Sequence, residues 1–204
     1  MPFRAGQYLS VEIPQRPRLW RNLSPANAPR PDGMLEFHVR AVPGGWVSGA
    51  IVGHTRPGER WRIGPSTGRL AVDRRSGRDV LMIAGGTGVA PMRAMLEELC
   101  RWGQNPEVRL FYGGRTGADL YDLEQLRGMA ATNPWLTVVP VLQHEPGPSG
   151  TERGTLADVV AARGAWDGHD VLVCGSPGMI RAAIARMLVA GTPLDRIRYD
   201  PFAD

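Results

Sequence analysis

From residue 79 onward the chain repeats one pattern, a short apolar run followed by a helical stretch. The runs are 79–84 (DVLMIA), 107–112 (EVRLFY), 136–141 (LTVVPV), 170–174 (DVLVC) and 197–200. Helical spacing occupies 91–101, 120–129, 156–163 and 177–190, and Pro91 suits a first helical turn. Runs that are apolar at nearly every position suit strands covered on both faces. Their alternation with helices predicts a doubly wound α/β unit around a five-stranded parallel sheet. Pro140 predicts a strand end or an edge strand. The stretch 143–154 (QHEPGPSGTERG) reads as a surface loop.

Residues 1–78 follow a different rhythm. Leu9, Val11 and Ile13 alternate with Tyr8, Ser10 and Glu12 across 7–13. Residues 35–42 alternate in the same way, and 60–63 offers a third short run. Strict alternation is the pattern of a half-buried strand. Pro14, Pro17, Pro25, Pro29, Pro31 and Gly33 punctuate these runs, followed by Pro43-Gly44-Gly45. That density predicts a small antiparallel β-barrel with tight turns, carrying one helix at 47–54. Two domains follow, 1–78 and 79–204.

Composition removes several function classes. With 43% hydrophobic and 22% charged residues, the chain has the balance of a globular protein. No apolar run approaches the ~20 residues of a membrane span. The first ten residues lack a signal-peptide core, so the cytoplasm is the expected compartment. Cys100 and Cys174 are too few for a four-cysteine zinc site or an all-cysteine iron–sulfur cluster, and no metal centre is expected. All 24 basic residues are arginine, and the net charge is +4. They are scattered, without a basic helix or an aromatic–basic stripe, which argues against nucleic-acid binding. Anionic cofactors or an acidic redox partner would use such a surface.

Five short motifs carry candidate chemistry. Gly85-Gly86-Thr87-Gly88-Val89-Ala90-Pro91 lies between an apolar run and a helix, where free amides and the helix dipole favour a pyrophosphate. Cys174-Gly175-Ser176-Pro177-Gly178-Met179 ends the fourth run, and ligands of open parallel sheets bind beyond the carboxyl ends of strands; in the strand order 3-2-1-4-5 the first and fourth strands flank the switch point, which would set the two glycine-rich ends side by side. Tyr112-Gly113-Gly114-Arg115 places an arginine after the second run, within reach of the ribose or adenine of a dinucleotide. In the first half, Arg21-Asn22-Leu23-Ser24 offers a phosphate fork and a hydroxyl. Gly44-Gly45-Trp46-Val47-Ser48 opens the short helix and offers amides to a second phosphate. Taken singly, each also reads as ordinary structure: a turn, a small buried cysteine, a surface arginine or a helix cap.

In this order and spacing, RxxS, GGxxS, GGTGxAP, YGxR and CGxPxM resemble the ferredoxin–NADP reductase superfamily from about Phe3 to Phe202. The reductase modules of flavohaemoglobins and multicomponent oxygenases are the nearest in pattern, and Ser24-Pro25-Ala26-Asn27-Ala28-Pro29 is similar to a segment of the latter. The resemblance implies an antiparallel FAD-binding barrel followed by a nicotinamide-binding α/β domain. It implies that Arg21 holds the flavin phosphate, that Ser24 approaches the isoalloxazine, and that His38, Val39 and Arg40 line the flavin with backbone groups. Gly45, Trp46, Val47 and Ser48 would bind the FAD pyrophosphate. Gly86, Thr87 and Gly88 would take NADH or NADPH, with Arg115 near the adenosine. Cys174 and Gly175 would sit by the nicotinamide, and Phe202 would cover the flavin. Ser24 and Cys174 are then the catalytic candidates.

The implied reaction passes hydride from nicotinamide to flavin and electrons onward to a separate acceptor: a ferredoxin, an oxygenase component, a globin or a small molecule. Similarity to oxygenase reductases favours NADH. Two positions depart from the family. Leu23 stands where an aromatic residue usually stacks on the flavin, and Met1 lies two residues before Phe3, where the family barrel begins tens of residues earlier. A barrel lacking its first strand is therefore expected. The competing expectation is a non-catalytic nucleotide-binding or interaction module that has lost flavin.

Overall fold

The structure, a computed structural model, describes residues 2–200. The first half builds a three-stranded antiparallel sheet from β1 (Tyr8–Glu12), β2 (Arg21–Leu23) and β3 (Arg62–Thr67), in the order β2-β1-β3. The alternation in β1 does what it predicts: Leu9, Val11 and the following Ile13 are buried. Ile13 packs on Val47 and Ala50 of α1 (Trp46–His54), with Ile51 and Trp61 at the margin. The register with β3 shifts between Leu9 and Val11, which bends this short sheet.

Residues 35–42, expected to form a strand, do not. Their single pairing is an isolated bridge between Pro25 and Phe37, and among the described residues the sheet stays open rather than closing into a barrel. The polar members of the alternating set are committed elsewhere. Glu36 and His38 meet Arg93, and Arg40 meets Asp119, both residues of the second half. Buried Asn27 holds the loop before them, accepting the Glu36 amide at 2.7 Å and donating to the Ala28 and Met34 carbonyls.

The second half is a six-stranded, all-parallel sheet. Its elements in chain order are β4 (Asp79–Gly85), α2 (Val89–Leu99), β5 (Val108–Gly114), α3 (Leu123–Thr132), β6 (Leu136–Leu142), β7 (Glu152–Arg153), α4 (Leu156–Ala161), β8 (His169–Cys174), α5 (Pro177–Val189) and β9 (Ile197–Tyr199). The strand order is β7-β6-β5-β4-β8-β9. The five expected strands are all present. The sixth, β7, is two residues long and comes from the stretch read as a loop. Pro140 stands in β6 where β7 pairs only with Val141 and Leu142, so its missing N–H breaks no outer ladder.

Side chains of β4 divide between two cores, as strands covered on both faces require. Met82 and Ala84 join α2 residues Met92, Met95, Leu96 and Leu99 on one side. Leu81 and Ile83 join Val160, Ile180 and Met187 of α4 and α5 on the other. Ala5 and Leu70 are buried in the first of these cores, which ties the N-terminal turn to the sheet. No helix among the described residues is long and apolar enough to cross a membrane.

Candidate functional site

The strand order puts the carboxyl ends of β4 and β8 side by side, with Ala84 in register with Cys174. From β4 the chain enters a 3-10 turn, Gly86–Gly88, and then α2. Gly86 takes φ +53°, a left-handed conformation that glycine adopts without a Cβ penalty. A Cβ on Gly88 would lie 2.4 Å from the Cys174 carbonyl oxygen and 2.7 Å from the Gly175 nitrogen. Only glycine lets the two strand ends approach so closely, and Gly88 is buried in that contact at the start of α2.

Cys174 is buried at the end of β8. Burial, and then the Asp200 charge, push its thiol up to about 12, so it stays protonated near neutral pH. Asp200 follows β9 and is also buried. Its Oδ1 accepts the Arg69 amide at 2.8 Å, while Oδ2 is buried without a hydrogen-bond partner. Burial raises the Asp200 carboxyl, partly opposed by that amide and by the Arg69 charge. A Cβ on Gly68 would sit 2.9 Å from this Oδ2 and 3.1 Å from Tyr8, so the first half closes over the strand ends here. The sequence reading missed Asp200, although its place at a strand's carboxyl end was a readable signal.

A cavity of about 470 Å³ lies beside the glycine turn, between the two halves. Gly86 and Thr87 line it from one side, and His38, Val39 and Arg40 from the other, with Asp119 at the edge. Arg40 donates to Asp119 at 2.8 Å, and its guanidinium is 3.9 Å from the position a Cβ would take on Gly86. The other oxygen of Asp119 accepts the amides of Arg115 and Thr116, at 2.8 and 3.2 Å. Burial alone would raise the Asp119 carboxyl, but these amides and the Arg40 charge hold it below its usual value. The Gly117 amide is taken by Glu145. Asp119 was legible as the fourth residue of a Thr116-x-x-Asp119 capping box and was overlooked.

A second cavity, of about 630 Å³, lies between the β1–β2 turn and the start of α1, where Gly45 and Trp46 line it with Arg16 and Leu19. Val47 turns into the core instead. Ser48 closes its own turn, accepting from the Val42 amide at 3.3 Å and donating to the Gly45 carbonyl. Arg21 is exposed on β2 opposite Val11, and Ser24 follows that strand half-buried; neither lines these two cavities. Phe202 lies outside the described residues.

These features suit a dinucleotide. Gly86 and Thr87 line the cavity at a helix start, the Arg40 guanidinium lies beside them, paired with Asp119, and an unpartnered Asp200 oxygen is buried at the strand ends.

Comparison with known proteins agrees. A family described as oxidoreductase FAD-binding domain matches residues 1–71, and one described as oxidoreductase NAD-binding domain matches 82–184. The naphthalene 1,2-dioxygenase system ferredoxin–NAD(P)+ reductase component of Pseudomonas putida is 30% identical over 204 residues, covering 98% of this chain and 60% of its own length. The phenol 2-monooxygenase reductase component DmpP of Pseudomonas sp. (strain CF600) is 33% identical over 193 residues, covering 92% and 54%. The crystal structure of the Amycolatopsis cytochrome P450 reductase GcoB superposes with a TM-score of 0.86 at 32% identity, covering 99% of this chain and 62% of that one. This chain therefore spans little more than half the length of these relatives. An FAD-binding half followed by an NAD-binding half defines the class of flavin- and nicotinamide-binding oxidoreductase domains. Within that class, the chain belongs to the ferredoxin–NADP reductase superfamily.

Proposed function

We propose that the chain is an NAD(P)H-dependent flavoprotein reductase that passes electrons to a separate acceptor. That acceptor is a ferredoxin, an oxygenase component, a globin or a small molecule. The observation that carries the reading is the apposition of two glycine-rich strand ends, with Gly88 against the Cys174 carbonyl, beneath a half whose family binds FAD. FAD held by the first half would supply a hydride acceptor for the nicotinamide that can release electrons singly, chemistry that belongs to the cofactors.

The protein's part is to bind and to orient. Gly86, Thr87 and Gly88 present backbone to the nicotinamide dinucleotide, and Arg40 and Arg115 stand by its charged and ribose portions. Cys174 and Gly175, at the end of β8, would stand by the nicotinamide, with the thiol kept neutral. On the flavin side, Arg21 and Ser24 serve phosphate and ring, the His38, Val39 and Arg40 backbone lines the ring edge, and Gly45, Trp46, Val47 and Ser48 form the pyrophosphate turn. The working boundary between the halves is 78/79.

NADH is the preferred donor in this reading. The amides of Arg115, Thr116 and Gly117, which a 2′-phosphate would seek, are already taken by the Asp119 and Glu145 carboxylates. A phosphate there would have to displace two negative groups. The compartment proposed with this reading is the cytoplasm, where reduced nicotinamide is available.

The test is an anaerobic absorption spectrum of the protein loaded with FAD and desalted, before and after NADH. Flavin bands near ~370 and ~450 nm that survive desalting and bleach are expected. A colourless protein that still binds nicotinamide nucleotide would replace this reading with that of a nucleotide-binding module.

A further inference from the structure

Arg93 lies on α2, the helix that starts at the glycine turn, and its side chain is nearly buried. It reaches out of its own half. Its two terminal nitrogens donate to the two oxygens of Glu36, at 3.0 and 3.2 Å, a bidentate fork. Within the second half it pairs with Glu97 one turn along α2, at 3.4 Å, and with Asp122, the residue just before α3, at 3.5 Å. Glu97 returns across the same seam, accepting the Ala28 amide at 3.0 Å. His38 completes the group: Nε2 is 3.1 Å from Glu36, and Nδ1 is 2.8 Å from the Tyr121 hydroxyl. Burial would raise the Glu36 carboxyl, but the His38 hydrogen bond and the Arg93 charge hold it down.

His38 and Tyr121 of this cluster line the 470 Å³ cavity opposite Gly86 and Thr87, so the cluster, with the Arg40–Asp119 pair, sets where one wall of the cavity stands. Glu36 is two residues before His38, and residues 38–40 have no sheet partner to place them. The fork on Glu36 substitutes for the missing ladder. A guanidinium fork has a fixed plane and spacing, so it specifies position as well as charge.

We propose that Arg93 is a positioning residue for hydride transfer. Through Glu36 it fixes residues 38–40 against the Gly86 turn, and with them the separation of the two cofactors. This rests on the reductase reading above.

The test compares Glu36→Gln and Arg93→Lys with wild type, all loaded with FAD, by stopped-flow reduction over a range of NADH concentrations. Both variants leave Arg93's position cationic and facing Glu97 and Asp122, so the buried charge stays compensated. A small displacement of reacting groups is enough to slow a reaction strongly, and each variant is expected to lower the limiting reduction rate about tenfold. FAD content and the half-saturating NADH concentration are expected to stay within about twofold, and the double variant to be no slower than either single one. A limiting rate unchanged in folded, FAD-loaded Glu36→Gln would overturn the role while leaving the reductase reading intact. So would a defect confined to FAD content or half-saturation. A wild type that NADH does not bleach would remove both.

Discussion

Cys174 and Cys100 differ only in where the fold leaves them. Cys100 is exposed at the end of α2, and burial and the Glu97 charge raise its thiol, whereas Cys174 is buried with its thiol raised to about 12. Thiolate is the reactive form, so alkylation should discriminate between them. With iodoacetamide at pH 8, mass spectrometry is expected to find carboxamidomethyl on Cys100 and none on Cys174 while the protein is folded, and on both after denaturation. Gly88 sets the other residue-scale limit. Gly88→Ala would drive a methyl group into the Cys174 carbonyl, which is backbone and cannot turn aside. The expected cost is about 1–3 kcal/mol of stability by denaturant titration, with weakened nicotinamide-nucleotide binding. Both residues were legible in the sequence as ends of apolar runs. Their side-by-side placement was legible too, since the first and fourth strands flank the switch point of a doubly wound sheet, and β4 does pair with β8; only the fold decided that the approach is too close for a Cβ on Gly88.

Among elements, the strands of the parallel sheet were read almost whole. An unbroken apolar run is produced by burial on both faces, and that burial is local to the run. The antiparallel half was less legible. Alternation at 7–13 yields β1, but the same alternation at 35–42 yields no strand, since Glu36, His38 and Arg40 find polar partners across the seam instead of a neighbouring strand. β2 is exposed and short, so its arginine is separable from the fold. Arg21→Ala is expected to lower the flavin retained after desalting, while thermal unfolding moves by no more than about 0.5 kcal/mol. Unaltered flavin content would take Arg21 out of the flavin site.

Over the whole molecule, the two halves are joined by side chains whose partners are distant in sequence. Arg198 donates to the Ala71 carbonyl, Arg101 to that of Pro29, and Asp200 accepts from Arg69. Just before β4, Arg78 pairs with buried Asp170 on β8 at 2.8 Å. Arg78→Met would leave that carboxylate buried without its counter-ion. A loss of about 3 kcal/mol is expected in denaturant titration, at the low end for a broken buried pair because Arg78 is itself partly exposed. A loss under about 1 kcal/mol would show that water reaches Asp170 once the arginine is gone.

What the sequence by itself determined was the order of strands and helices in the second half, the strand-end turns, and the class of ligand those turns accept. Each of these is written in residues close together: an apolar run, a glycine that must pass another backbone, a helix that begins there. Tertiary structure alone decided that 35–42 would be held by Arg93 and Asp119, that Asp200 would lie beside Cys174, and that one wall of the cavity would come from each half. Polar partners are chosen by proximity in the folded state, and a single chain's periodicity records how deeply a residue is buried but not which charge it will face.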